Sequence, residues 1–432
     1  MFMSKLMKVV SALMAVMISA LFLTGCQRES EENGPIVLTY GAHIANMAQQ
    51  EPATYVVFRA FMDDNPDIVI DIQGAGTDEH VMRMRMASQA GTLPDMFWLL
   101  PAPSLEMWEA GLLLDFSEYF ALSPDVDARI GDIVRSMSPV DDAAFGLPYQ
   151  KLVTGMWYNR ALFREFNVPT PVNGTTIDEF LEMVDVFYAN DVVTVAKGAR
   201  DPFSVWNFLL GWARFGFFDK IDAIQAGDES FVNYAFIRYF EHIDEMRMRG
   251  AFPSNIATLD YFQAANMFMN GESAMMDSGV WDTARFSEAL GEDLGFWWGP
   301  VFPDGVGNQN ISMQAPTNNV RVNIVSWQDE RRRDAIRRFL DFFYSAEADQ
   351  LRIEHGSVPL ANPGDTSEVE PGFRAVLEAM AGDWPSVPDQ ADLVVSQPVQ
   401  VAMYNALYGV MIGTFTPEQA LTNIEQAQDR ER

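Results

Sequence analysis

The residue types that most often carry catalysis or metal binding are sparse in this 432-residue chain. Its four histidines are His43, His80, His242 and His355, and no two of them have the spacing of a zinc site. The sequence has no glycine-rich phosphate loop, EF-hand loop or GxSxG elbow. Its 60 acidic residues make carboxylate pairs unavoidable by chance, so composition does not exclude a glycosidase, but no pair stands out. We expect no metal, no cofactor and no catalytic residue.

Aromatic rings are abundant instead. The chain has ten tryptophans, and several lie where a loop leaves a predicted strand. Ligands of open α/β sheets bind beside such loops. Aromatic faces flanked by polar groups suit a solute with flat apolar faces ringed by hydroxyls, as in sugars. This pattern is typical of a binding site.

The single cysteine, Cys26, stands where an apolar segment turns polar. Two lysines precede an apolar run at residues 9–23, which is shorter than the ~20 residues of a membrane-spanning helix. Residues 23–26, LTGC, resemble the bacterial lipobox, which implies a signal peptide at 1–25 and lipid on Cys26. The polar residues 26–35 then form a flexible tether. The alternatives are an anchoring helix, or a chance cysteine near an ordinary cleavage site.

The overall composition is that of a globular, strongly acidic protein. The chain is 48% hydrophobic and has a formal net charge of −31, which becomes about −33 without residues 1–25 and their two lysines. Such a charge disfavours nucleic acid and anionic surfaces as partners. The length suggests two or three domains.

Short apolar runs alternate with helical periodicity in the first part of the chain. Strands are predicted at 36–41, 68–72 and 95–98, with helices between them over 55–64 and 81–90. Asn65-Pro66 ends the first of these helices, because proline disfavours helix at the residue before it. The order of strands and helices is typical of a doubly wound α/β fold with a mostly parallel sheet.

Helix signals recur later in the chain. Thr176–Glu179 and Thr416–Gln419 have the capping-box pattern. Residues 329–345 carry an apolar stripe at i, i+3, i+4 and i+7. These signals predict structure and no chemistry.

Several stretches, in this order, resemble the extracellular solute-binding proteins of ABC importers, in the sugar-binding class that includes the maltose-binding protein. They are FMDDNPDIVIDI (61–72), GTLPDMFW (91–98), EAGLLLDF (109–116), FGLPY (145–149), WYNR (157–160), MFMNGESAMMDSGVW (267–281), the helix at 335–350 and TPEQAL (416–421). The resemblance implies the type II fold, in which two lobes, each a mostly parallel sheet flanked by helices, enclose a ligand cleft. It places the first lobe at 36–147 and 304–346, and the second at 148–303 and 347–432.

The resemblance also implies which aromatic residues bind ligand. Trp98 matches a position that faces the cleft in sugar-binding relatives, although a core tryptophan at a strand end is the alternative. Trp281 matches the family's glycine-then-tryptophan signature after GESAM. Tyr404 matches an aromatic residue in a late helix that stacks on ligand. Residues 99–102, LLPA, depart from the polar residues that relatives often carry there, so the ligand need not resemble maltose.

The segment DPFSVW at residues 201–206 resembles one that supplies ligand contacts in the maltose-binding protein. It implies cleft roles for Asp201, Phe203 and Trp206, with a solvated carboxylate or helix cap as the alternative for Asp201. His43 is expected either to reach the cleft from the other lobe or to be an ordinary loop histidine. We expect one of Trp297 and its neighbour to line the cleft, and assign Trp297.

The expected function is therefore that of a substrate-binding component, not an enzyme. It would be a monomer, extracytoplasmic and tethered to a bacterial membrane through lipid on Cys26. It would hold a sugar or oligosaccharide and present it to the permease subunits of an ABC transporter. The alternatives are a binder of another small solute, such as a polyamine or peptide, a sensory binding protein that docks a receptor, and a surface carbohydrate-active enzyme.

Overall fold

A computed structural model describes residues 34–138, 140, 143–201, 203–360 and 369–432. The predicted signal peptide at 1–25, Cys26 and nearly all of the tether at 26–35 lie outside these described residues. Within them, every helix is too short or too polar to cross a membrane.

The first part of the chain alternates strands and helices, as predicted. It contains β1 (Ile36–Ala42), α1 (Met47–Gln50), α2 (Pro52–Asp64), β2 (Ile68–Gly74), α3 (Thr77–Ala90), β3 (Met96–Trp98), α4 (Pro101–Glu109), α5 (Phe116–Leu122), α6 (Pro124–Val126) and α7 (Asp132–Ser136), with a π-helical turn at Asp127–Gly131. Helix α2 ends before Asn65-Pro66, which confirms the proline stop.

The middle part begins with a long strand. It contains β4 (Leu147–Asn159), α8 (Arg160–Glu165), α9 (Ile177–Ala189), β5 (Val193–Ala196), α10 (Trp206–Ala213), α11 (Phe217–Ala226), α12 (Tyr234–Met248), α13 (Tyr261–Met269), β6 (Ser273–Gly279), α14 (Thr283–Leu290) and β7 (Leu294–Trp297), with 3-10 turns at Val280–Asp282 and Gly291–Asp293. Helix α9 begins with the predicted capping box, in which Thr176 and Glu179 each bond the other's backbone N–H.

The last part returns through a second long strand and is otherwise helical in the described residues. It contains β8 (Met313–Val322), α15 (Ile324–Gln328), α16 (Glu330–Phe343), α17 (Ala346–Glu354), α18 (Pro371–Met380), α19 (Gln397–Met411) and α20 (Pro417–Glu431). The predicted stripe lies on α16, where it is buried, and the Thr416 capping box begins α20.

The strands form one hydrogen-bonded path in the order β2-β1-β3-β8-β4-β6-β5, with β7 also paired to β4. Strands β1, β2 and β3 are parallel, as are β5 and β6. Strands β4 and β8 run antiparallel to each other, with Leu152 opposite Ala315, and antiparallel to their other neighbours. The sheet is therefore mixed, and the two long strands lie at its middle.

These two strands connect separate hydrophobic cores. The first core holds residues between Leu38 and Tyr149 and between Val320 and Ala348. The other two hold residues of the remaining helices and strands, and β4 passes from the first core at Leu147 to the others at Leu152. We call the elements around the first core the first lobe and those around the other two the second lobe. The boundaries predicted at 147/148, 303/304 and 346/347 stay predictions.

Candidate functional site

A cavity of about 700 Å³ lies between the two lobes. Its wall on the first lobe comes from the loop after β1, from α3 and from the end of β3, and its wall on the second lobe comes from loops around β5 and β6 and from α19. Seven of the eight residues assigned to the cleft line this cavity: His43, Trp98, Asp201, Phe203, Trp206, Trp281 and Tyr404. That these residues contact ligand stays a prediction.

Aromatic rings form the wall of the second lobe. The rings of Trp206 and Trp281 meet edge to face, with centroids 4.8 Å apart. Phe203 and Tyr261 pack on Trp206 at centroid distances of 6.0 and 5.5 Å. Edge-to-face packing is favourable for aromatic pairs and leaves ring faces available to a solute.

The backbone after β6 makes room for Trp281. A Cβ atom on Gly279 would lie 2.3 Å from the Trp281 ring, so a side chain there would displace the indole. The indole Nε1 donates to the Tyr261 hydroxyl at 2.8 Å, and that hydroxyl donates to the buried carboxylate of Asp282. Burial is the main cause that raises the pKa of Tyr261 to about 12, so the hydroxyl keeps its proton. Glycine and this hydrogen-bonded chain together fix the indole.

A buried ion pair lies behind Trp206. Lys197 Nζ is 2.5 Å from Asp277 Oδ2 and 5.9 Å from the Trp206 ring centroid. Asp277 Oδ1 accepts the backbone N–H of Asn207 at 2.9 Å, in the first turn of α10. A carboxylate at that position also interacts favourably with the helix dipole. The pair thus anchors the helix that begins with Trp206.

Trp98 and His43 form the facing wall on the first lobe. Their rings stack at a centroid distance of 4.0 Å and an angle of 15°. His43 Nε2 lies 3.3 Å from Glu51 Oε1, and the Tyr149 hydroxyl donates to Glu51 Oε2 at 2.5 Å. His43 therefore covers one face of Trp98, and the two rings together form this part of the cavity wall.

His80 holds the backbone of Trp98 from behind. Its Nε2 lies 2.6 Å from the carbonyl oxygen of Trp98. Burial lowers the pKa of His80 to about 4, so the imidazole is neutral near pH 7 and Nε2 must carry the proton to donate to this carbonyl. The sequence placed His80 in no role.

Several polar residues of the cavity other than His43 and Asp201 had no assignment from the sequence. Asp392 precedes α19 and accepts at Oδ2 from the Tyr404 hydroxyl and, at 3.3 Å, from Gln400. Arg85 on α3 donates to the side chain of Gln397 on α19, which joins the lobes across the cavity mouth. No local motif marks these residues. The contact of Arg85 with Gln397 arises from the packing of the two lobes, whereas Asp392, Gln400 and Tyr404 lie within 12 residues of one another in the second lobe.

Asp201 has a structural role as well as a place in the cavity. Its Oδ2 accepts the backbone N–H of Tyr261 at 2.7 Å, at the start of α13. This bond corresponds to the capping alternative. Burial raises the pKa of Asp201, and the hydrogen bond from Tyr261 opposes that rise.

The placement of Trp297 corrects the assignment of that residue to the cleft. Trp297 ends β7, is 1% exposed and packs near Phe180 in the core of the second lobe. Its neighbour Trp298 is also buried and donates Nε1 to the carbonyl oxygen of Ala379 at 3.1 Å. Successive side chains of an extended chain point to opposite faces of the sheet, and both faces are covered at β7. The two rings therefore lie in different hydrophobic cores. Neither ring lines the cavity.

Metal binding finds no support in the described ranges, which contain no group of three His, Cys, Asp or Glu side chains placed to hold an ion. The side chains at the cavity suit reversible binding of a solute by ring faces and hydrogen-bonding groups.

Comparisons with known proteins agree with this geometry. The sequence profile described as "Bacterial extracellular solute-binding protein" matches residues 45–350. The galactooligosaccharide-binding protein of Bacillus subtilis (strain 168) is 24% identical over 384 residues, covering 84% of this chain and 82% of that protein.

Solved structures share the fold. A chitin oligosaccharide binding protein superposes with a TM-score of 0.77 at 19% identity, covering 90% of this chain and 98% of that one. The maltose/maltodextrin-binding domain from Bdellovibrio bacteriovorus, bound to maltotriose, has a TM-score of 0.69 at 17% identity, covering 92% and 99%. These likenesses confirm the two-lobed type II fold.

Proposed function

Because this chain belongs to the family of bacterial extracellular solute-binding proteins, we propose that it captures a sugar or oligosaccharide between its lobes and delivers it to an ABC permease. Membership of the family places the protein outside the cytoplasm. It acts by binding and release, and no bond of the solute is made or broken.

The observation that carries this proposal is the aromatic wall. Trp206, Trp281 and Phe203 present rings to a cavity of about 700 Å³, which is the size of a small-molecule site. Carboxylates and amides stand beside the rings, as a solute with apolar faces and hydroxyl edges requires. The oligosaccharide-binding relatives in Bacillus subtilis and among the solved structures support the same solute class.

The two lobes touch across the cavity, and we propose that they close on the solute. Arg85 on α3 and Gln397 on α19 form a hydrogen bond between lobes that β4 and β8 join. A solute that touches both walls favours the closed arrangement by the difference of its affinities for the closed and open forms. The permease would then recognise the closed, loaded protein.

Membrane attachment belongs to the same proposal. Lipid on Cys26, after removal of residues 1–25, would hold a monomer near its permease through the tether at 26–35. Firm attachment takes more than one acyl chain. Metabolic labelling with a fatty-acid analogue should mark the full chain and fail to mark a Cys26→Ala variant.

A thermal-shift screen against a sugar library tests the main proposal. A solute present at 100 times its dissociation constant adds about 2.7 kcal/mol to the free energy of unfolding. We expect at least one mono- or oligosaccharide to raise the melting temperature. If no sugar does so while a polyamine or peptide does, the proposed solute class is wrong.

Calorimetry on two tryptophan variants then locates the site. Trp281→Ala should weaken binding of that sugar about 10- to 100-fold, since it removes a ring face from the cavity. Trp384→Ala is the matched control, because Trp384 is half-buried but lies outside the cavity lining. If the two variants bind the sugar with equal affinity, Trp281 does not contact the solute.

A further inference from the structure

The cavity has more carboxylates than cationic groups. Its acidic lining residues are Glu51, Asp78, Asp201, Asp260 and Asp392, and its basic lining residues are His43, Arg85 and Arg200. Two acids have basic neighbours: Glu51 has His43 at 3.3 Å, and Asp260 has Arg200 at 3.8 Å. Among the described residues, no Lys, Arg or His lies within 4.0 Å of the carboxylates of the other three.

Asp392 is the most unusual of these three acids. It is 4% exposed, and Oδ2 takes the hydrogen bonds from Tyr404 and Gln400. Its other oxygen, Oδ1, is buried and has no hydrogen-bond donor in the described part of the chain. A buried acceptor without a donor is destabilising, and a donor supplied by a solute would relieve this.

Asp78 and Asp201 face the same space from opposite lobes. Asp78 lies in the first turn of α3, and Asp201 lies beyond β5. Partial desolvation beside the cavity is the main cause of the raised pKa of Asp78, and the charge of Asp201 raises it further. The helix dipole favours a carboxylate at Asp78, and the amide of Tyr261 stabilises Asp201. Besides burial, the charge of Asp260 raises the pKa of Asp201, and the charge of Arg200 lowers it to a smaller extent. A cation between the lobes would relieve the repulsion between Asp78 and Asp201 as the lobes close.

We propose that the solute carries a protonated amino group, held at the Asp392 side of the cavity, and is therefore an amino sugar or an oligosaccharide with a free amine. This inference rests on the proposed function. The rings of Trp206 and Trp281 hold the sugar face, and the ammonium donates to Asp392 Oδ1, with Asp78 and Asp201 completing a negative environment. The net charge of −31 on the whole chain also favours the approach of a cationic solute.

Matched pairs of sugars test the charge requirement directly. The probes are glucose with glucosamine, galactose with galactosamine, and cellobiose with its 2,2′-diamino analogue, each titrated into the full protein by calorimetry near neutral pH. Within any pair that binds, we expect the amine to bind about 10- to 100-fold more tightly, as one charge-assisted hydrogen bond contributes. The preference should shrink in high salt, because screening weakens charge interactions.

Variants attribute the preference to specific acids. Asp392→Asn should reduce the ratio of amine to neutral affinity at least fivefold, while the asparagine can still accept from Tyr404. Asp78→Asn should reduce the ratio less, because Asp78 is more exposed to solvent than Asp392. Asp125→Asn is the control, since Asp125 is an exposed acid outside the cavity lining. Circular dichroism of each variant checks folding.

The outcomes separate the inference from the proposed function. If neutral sugars bind as tightly as their amines, the charge inference is wrong and the saccharide proposal stands. If the amine preference exists but survives in both Asp392→Asn and Asp78→Asn, the assignment to these carboxylates is wrong. If no sugar of either kind binds, both proposals fail together.

Discussion

Removing the cation of the buried Lys197–Asp277 pair should destabilise the second lobe strongly. Lys197 follows β5, and Asp277 lies on the neighbouring strand β6. Each comes directly after the paired residues Ala196 and Met276. Their side chains are 2% and 0% exposed. In Lys197→Met, Asp277 would be left with the N–H of Asn207 as its remaining described partner, in a site that water does not reach. Breaking a buried pair in this way costs about 3–5 kcal/mol of the free energy of unfolding.

The double variant Lys197→Met/Asp277→Asn provides the internal comparison. The asparagine keeps an acceptor for the N–H of Asn207 and carries no charge, so the double variant should recover a large part of the loss. Urea unfolding measures the midpoint and slope for each protein. Tryptophan fluorescence is a suitable probe, because Lys197 Nζ lies 5.9 Å from the Trp206 ring centroid.

Two results would contradict this reasoning. One is a loss below about 1 kcal/mol in Lys197→Met, which would mean that the buried carboxylate finds another way to be neutralised. The other is a double variant less stable than Lys197→Met, which would make the lysine's packing, not its charge, the stabilising feature.

Three further changes probe the walls of the cavity. Burial lowers the pKa of His80 from 6.5 to about 4. Between these two pH values His80 is protonated in the unfolded chain but neutral in the folded protein, so the free energy of unfolding falls as the pH drops. Wild type should lose about 3 kcal/mol relative to His80→Gln between about pH 6.5 and about pH 4, and parallel pH curves of urea midpoints would refute this. Arg85→Ala removes the hydrogen bond to Gln397 and should weaken solute binding about three- to tenfold. It should also increase the radius of gyration measured by X-ray scattering. If both the radius and the affinity are unchanged, Arg85 does not contribute to lobe closure. Gly279→Ala should cost about 1–3 kcal/mol and alter the near-ultraviolet circular dichroism, since its Cβ would meet the Trp281 ring, whereas an unchanged spectrum would mean that the indole has room to move.

The sequence predicted most of the aromatic residues that line the cavity, together with His43 and Asp201, but not the other polar residues of its wall. Trp98, Trp206 and Trp281 sit in motifs whose order along the chain points to a cleft, and all three line the cavity. Asp392 and Arg85 have ordinary sequence surroundings. Arg85 meets Gln397 through packing between helices 312 positions apart, and Asp392 meets Tyr404, 12 positions later, where the loop before α19 folds against that helix.

Residue order alone determined the local elements of this protein. Strand β1, the end of α2 at Asn65 and the capping boxes at Thr176 and Thr416 depend on residues a few positions apart, whose propensities and hydrogen bonds are readable from the sequence.

Tertiary structure decided which side chains face the cavity. Trp297 ends strand β7 and Trp281 follows strand β6, both in the second lobe. Trp297 is in the core because helices and strands cover β7 on both faces, whereas Trp281 turns into the space left by Gly279. The acids at Asp78, Asp201 and Asp392 come together because β4 and β8 hold two separately packed lobes against each other. That arrangement depends on contacts between residues hundreds of positions apart, which local sequence patterns do not encode.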